Sequence, residues 1–431
     1  MVMYFLCIAV VLNAVNHVHG FVLTDDVILR QHVAKLPQYA QYGRSMVLVG
    51  GHLWDNNTEI YDTIIRMAGG KGVARVGIIN AASADPLDGY QYYRNLFLKY
   101  GALETARIPI DLNHTADNAP QATIDLIYAQ TGFFFGGGDQ ERVVKSLLGQ
   151  YGEYTPALLA LHQMNDAGAV IAGTSAGCSC QTANYMVEGG VSWDALTYGA
   201  FPDVEPTIAH AYPLVYLSSG GIGFMKGYVL DSHFSQRGRE GRMIRLLSDT
   251  MAHGKGTARG IGVDENTALV VKHADTNMVS GTVIGASGVT VFDLSNSRVH
   301  ISRYFNISDV YLTYLTHGDA IRLSDHQVTF SSSKTPMKNH ENYDDVLTTD
   351  DVFYGTKSDS ERKSEFVRIA TSVFDARNGR TTHGTTQEGS PRFRIDMSAE
   401  GHDAIGYVER RHSFHSDITS YKNLRVAIYA D

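Results

Sequence analysis

Cysteine is nearly absent from this chain of 431 residues, which holds three: Cys7, Cys178 and Cys180. So few excludes a disulfide framework. Cys178 and Cys180 stand one residue apart, a spacing that rarely bridges, so they read as small buried hydrophobes. A metal site would need more ligands. Basic charge is also short: 36 Lys and Arg stand against 45 Asp and Glu, net −9, which leaves no cationic field for nucleic acid. There is no internal repeat, no helix-length membrane span, and neither a G-x-x-x-x-G-K-[ST] nor a G-x-G-x-x-G phosphate loop.

What is present is an ordinary globular composition, 44% hydrophobic and 19% charged, enough for one large domain with an appendage. The apolar stretch 5–12, followed by Val18-His19-Gly20, reads as a secretory signal over residues 1–20, although its start carries no Lys or Arg. Cleavage would remove Cys7. Asn56, Asn113 and Asn306 open N-x-[ST] triplets that suit a glycosylated, extracellular protein. The expectation is a secreted chain, off the membrane once its signal is cut, with a homodimer left open.

Between residues 44 and 180, short apolar runs at 46–49, 73–79, 103–110, 132–135 and 169–172 alternate with helical patterns. Strands separated by helix-length segments predict an α/β fold: a doubly wound, mostly parallel sheet flanked by helices. Later runs at 260–263, 268–271, 282–292 and 310–315 read as strands and hairpins. The main domain is expected over 21–330, a linker or long loop over 331–365, and a small β-rich C-terminal appendage over 366–431.

Two glycine-rich loops fall at strand ends, where such sheets bind ligands. In Gly173-Thr-Ser175-Ala-Gly177, a G-x-S-x-G elbow exposes a serine between strand and helix. Gly136-Gly-Gly138-Asp-Gln140 closes the strand before it, with backbone N–H groups suited to an oxyanion. A serine needs a base and a carboxylate to orient that base. His233 ends the apolar run Tyr228-Val-Leu-Asp-Ser-His233, and the acids Asp264-Glu265 interrupt another. Ser175, His233 and Glu265 thus form a candidate triad, and its chemistry calls for neither metal nor cofactor.

These segments, with Asp231-Ser-His-Phe-Ser-Gln-Arg237-Gly-Arg239-Glu-Gly-Arg242 and Gly260-Ile-Gly-Val-Asp-Glu265-Asn-Thr-Ala268, resemble the successive signatures of cyanophycinase and its relatives. Gly50-Gly-His-Leu-Trp-Asp-Asn-Asn57 and Tyr314-Leu-Thr-His-Gly-Asp319 add to the likeness, which spans about residues 44 to 325. The resemblance implies serine peptidases on a fold related to class I glutamine amidotransferases. It makes Ser175 the nucleophile, His233 the base and Glu265 its carboxylate, with the N–H groups of Gly138 and Ala176 as oxyanion hole. Gln140, Asp231, Arg237, Arg239 and Arg242 match the family's substrate pocket, where arginines would hold aspartyl carboxylates and Asp231 a guanidinium. The implied partner is a peptide with aspartyl linkages, and cyanophycinase releases β-Asp-Arg dipeptides from such a polymer.

This chain departs from the family in carrying Ser232 where the signature has glutamine. Three alternatives stay open: an α-aspartyl dipeptidase, a lipase-type hydrolase with its acid before the histidine, and a secreted, non-catalytic binding or matrix protein on the same scaffold.

Overall fold

The computed structural model describes residues 40–116, 119–354, 364–401, 403–411 and 416–430. Strands Met46–Val49, Arg75–Ile79, Glu104–Arg107, Gly132–Phe135 and Val170–Thr174 pair in parallel. All but the edge strand Glu104–Arg107 are largely apolar and buried, because helices cover both faces. Val47, Val76, Phe134 and Val170 share a core with helices Thr58–Met67 and Pro86–Lys99. Leu48, Ile79, Phe133 and Ile171 point the other way, against Gln140–Leu147 and Pro156–Asp166.

The spatial order of the parallel strands is 104–107, 75–79, 132–135, 170–174, 46–49, so the winding reverses between 75–79 and 132–135. A crevice opens at the carboxyl ends there. The Asp139 N–H donates to the Ala82 carbonyl at 3.0 Å and ties the two loops that flank it.

Beyond Met46–Val49 the sheet departs from the mostly parallel expectation. Thr267–Lys272, Ser280–Gly285, Ala320–Arg322 and Gln327–Thr329 extend it antiparallel, making a mixed sheet of nine strands. The connections after Val263 are short, and short turns join antiparallel neighbours where helical crossovers join parallel ones.

A second sheet, of ten strands, begins with the parallel pair Val229–Asp231 and Arg259–Val263 and continues through Gly288–Asp293 and Ile307–Thr316. Four short crossings join the sheets, the last two after Thr316 and after Thr329. The chain leaves the second at Val263 and enters the first at Thr267, then returns between Gly285 and Gly288.

The tail from 366 is not an appendage. Its strands Phe393–Ser398 and Ile405–Glu409 both pair with the 13-residue strand Ile418–Ala430, which pairs with Ile307–Thr316. Helix Glu365–Asp375 packs beneath, and Phe366, Phe374, Ile395 and Val426 share one core with Ile244, Leu247 and Phe292. The described part of the expected linker is docked as well, with Lys334, Met337 and Val352 buried. The polar text around residue 331 marks an exposed strip rather than a boundary. The alternating apolar residues of the tail need a partner surface, and the edge of Ile307–Thr316 supplies one to Ile418–Ala430. The signal expected at 1–20 lies outside the described residues.

Candidate active site

Ser175 follows strand Val170–Thr174 and caps the short helix Ala176–Ser179 with φ 56° and ψ −118°, a conformation costly for a residue with a side chain. The elbow admits only glycine on either side. A Cβ on Gly173 would lie 2.1 Å from the Gly177 carbonyl oxygen, and one on Gly177 would lie 2.2 Å from that of Phe135. Cys178 and Cys180 pack unbridged in the core behind it.

His233 stands beyond the end of Val229–Asp231 in the second sheet, and Glu265 at the first crossing between sheets. The imidazole Nε2 lies 2.7 Å from Ser175 Oγ, and its Nδ1 lies 2.6 Å from Glu265 Oε1. With Nδ1–H donating to Glu265, Nε2 is left to accept the serine hydroxyl. Burial lowers the His233 pKa below the ordinary imidazole range, and Arg237 and Arg239 add to this against the opposing pull of Glu265. Burial pushes Glu265 up, but the hydrogen bond from His233 and the charges of His233, His52 and Arg237 together outweigh it and hold the carboxyl low. A neutral imidazole beside an ionised carboxylate is the state a general base requires.

Other groups fix this geometry. The His233 N–H donates to the Gly50 carbonyl at 2.6 Å, and Gly51, at φ 99°, lies under the ring, where a Cβ would come within 2.3 Å of Nε2. Gln236 Oε1 accepts the Glu265 N–H at 3.0 Å. Asn266 binds back to the same entry loop, taking the Trp54 N–H and Asn57 Nδ2 on its side-chain oxygen at 3.2 and 2.8 Å. His52 Nδ1, largely exposed, lies 4.0 Å from Glu265 Oε2. Residue reading missed Gly51, Gln236 and Asn266 as site components. The Gly50-Gly-His run is the signal in the residues for Gly51.

The N–H groups of Gly138 and Ala176 have no acceptor among the described residues, whereas Gly137 N–H lies against the buried Tyr93 hydroxyl. Two free donors beside Ser175 suit a developing oxyanion.

The pocket residues divide. Arg242 is buried and spent: its Nε and Nη2 fork onto Asp231 at 2.9 and 2.7 Å, and Nη1 donates to the carbonyls of Gly189 and Gly190. Arg239 Nη1 also donates to Asp231, at 2.9 Å, and to the Ser232 carbonyl at 2.6 Å. Burial pushes the Asp231 carboxyl up, but the two arginines outweigh this and keep it ionised. Asp231 is therefore closed to a substrate guanidinium, and Arg242 to a substrate carboxylate, because each already satisfies the other in a buried fork. Arg237 alone of the three arginines is exposed, on the turn Ser235–Arg237, and its charge is felt by His233 and Glu265. Gln140 Nε2 donates to the Val187 carbonyl at 3.1 Å, and Ser232 Oγ accepts from Ser179 Oγ at 3.2 Å. Asn56 and Asn113 are exposed and Asn306 is half-buried.

A serine on a strained elbow, hydrogen-bonded to a histidine that is itself held by a carboxylate, defines the class as a serine-type hydrolase. The sequence pattern of peptidase family S51 matches residues 46–279, and the chain belongs to that family. It is similar to the cyanophycinase of Geminocystis herdmanii (strain PCC 6308), 29% identical over 292 residues, covering 67% of this chain and 97% of the relative. The cyanophycinase of Synechococcus elongatus is 28% identical over 302 residues, covering 68% and 84%. Among solved structures, a peptidase from an acI-B1 Actinobacterium aligns at TM-score 0.42 and 20% identity, covering 65% of this chain and 97% of that one.

Proposed function

We propose that this serine peptidase is an extracellular exopeptidase that hydrolyses aspartyl-linked peptides and releases β-Asp-Arg dipeptides, as cyanophycinases do. The observation that carries the mechanism is the continuous relay from Ser175 through His233 to Glu265. Ser175 Oγ attacks the scissile carbonyl carbon while His233 Nε2 takes its proton. The oxyanion forms against the N–H groups of Gly138 and Ala176. His233 then protonates the leaving amine, and water, activated by the same nitrogen, releases the acyl group from Ser175.

Arg237 is the cation placed to meet a substrate carboxylate, since Arg239 and Arg242 are engaged by Asp231. Support for the substrate class comes from the cyanophycinases above, and support for secretion from the leader-like residues 1–20 and the exposed sequons Asn56 and Asn113.

Incubation with cyanophycin and with panels of β- and α-aspartyl dipeptides, read by product mass, tests the reading. Release of β-Asp-Arg supports it, and cleavage restricted to α-aspartyl dipeptides moves the assignment to that activity. A wild-type Ser175 left unmodified by a fluorophosphonate would point to a non-catalytic scaffold.

A further inference from the structure

Asp264 is fully buried one residue before Glu265, and its carboxylate joins four elements. One oxygen accepts the Ser235 N–H at 2.9 Å. The other takes Ser287 Oγ, the Gly288 N–H and the Tyr314 hydroxyl, at 2.8, 3.2 and 3.1 Å. Ser235 lies two residues past His233. A displacement of Asp264 therefore moves both ends of the His233–Glu265 pair.

Tyr314 in turn stacks on Tyr421 of the strand Ile418–Ala430, with centroids 5.7 Å apart, and Tyr421 stacks on Phe374 at 5.2 Å. Both Tyr421 and Phe374 lie outside residues 46–279, where the family match falls. Next to Tyr421 the strand is pinned: Ser420 Oγ donates to Asp319 Oδ2 at 2.5 Å, and Lys334 Nζ binds the same oxygen at 2.7 Å, with both side chains of that ion pair fully buried.

The Tyr421 hydroxyl is buried without a partner among the described residues, so its ring stack is what joins Tyr421 to Tyr314.

We propose that Tyr421 is a positioning residue for the Ser175–His233–Glu265 relay, acting through Tyr314 and Asp264, so that the C-terminal strand is a working part of the active site. This rests on the catalytic reading above.

The test compares Y421F and Y421L in the full chain. Y421L is expected to lower kcat on an aspartyl peptide about tenfold with KM within about twofold, the signature of a misplaced base rather than a lost substrate contact. Its acid limb in the pH–rate profile moves, as does the downfield proton resonance of His233 Nδ1–H. Y421F, which keeps the ring stack, holds kcat within about threefold of wild type.

A Y421L enzyme that melts earlier yet keeps kcat, the pH limb and the His233 resonance would reduce Tyr421 to a purely structural role and overturn the proposal. The His233 resonance needs no turnover, so it reads the positioning even if wild-type enzyme hydrolyses none of the substrates, an outcome that sinks the catalytic reading alone.

Discussion

The two halves of the active site are built by different means. Ser175 is held mostly by its neighbours in sequence, a strand, a turn and a helix within residues 170–179, with only the adjoining strands at Val49 and Phe135 closing on it. The relay on the other side is assembled from afar. His233 is 58 residues from Ser175 and 32 from Glu265, and its backbone and ring rest on Gly50 and Gly51. The difference lies in what each half can lose. An elbow whose strain is set locally survives changes elsewhere, whereas a base positioned by several distant elements moves when any of them shifts.

The largest expected effect confirms that both halves serve one reaction: Ser175→Ala lowers kcat by about 10⁴-fold or more with an unchanged melting temperature. Glu265→Gln is expected to cost about 10³- to 10⁴-fold, by analogy with loss of the orienting acid in other serine hydrolases, again without unfolding. Gly51→Ala, far from the serine in sequence, drives a methyl into the His233 ring and should cost about 10²-fold. A Gly51→Ala enzyme at wild-type rate would show that the relay half is no more fragile than the elbow.

The pH–rate profile follows with its sign fixed. Only neutral His233 can accept the serine proton, so activity falls as pH drops through its pKa, and burial places that limb below the ordinary imidazole range. A limb above that range would contradict the buried geometry. Arg237→Ala leaves the relay intact and should raise KM about tenfold with kcat held within about threefold.

The smallest effect lies beside the pocket. Glu188, with one buried carboxyl oxygen unpartnered, is pushed up to about 7 by burial, with Asp139 and Glu141 adding to it. Between the ordinary carboxylate range and pH 7 the native state keeps a proton that the unfolded chain has released, so stability falls as pH rises through that window. Glu188→Gln should therefore raise the melting temperature by a few degrees at pH 8 and leave it unchanged at pH 4.

Much of this was legible in the residues. Strands 46–49 and 132–135 stand where their apolar runs place them, and 75–79 and 170–174 differ only at their ends. Continuous apolar runs between helical periods admit few other arrangements. The elbow could be read from its G-x-S-x-G spacing, in which Gly173 answers a steric demand from Gly177 four residues on, although Gly177 answers one from Phe135 on the next strand. Asp264 and Glu265 could not be told apart by residue chemistry, since both are acids at one strand end. The crossing between sheets separates them, turning Asp264 inward to Ser235, Ser287 and Tyr314 and Glu265 outward to His233. Likewise, the arginines at 237, 239 and 242 are chemically alike, and only the position of Asp231 shows which of them is spent.

The residues alone therefore determined the parallel core and placed a serine on a nucleophile elbow, because both can be read from patterns within short stretches of chain. The tertiary structure decided which acid meets His233, which arginine is left for a substrate, and that the tail from 366 completes the second sheet instead of hanging from it. Those outcomes depend on contacts such as Ser420 with Asp319, 101 residues apart. A local pattern carries no record of its distant partner, since many partners could satisfy the same strand edge or the same buried charge, and the packing of the whole chain selects among them.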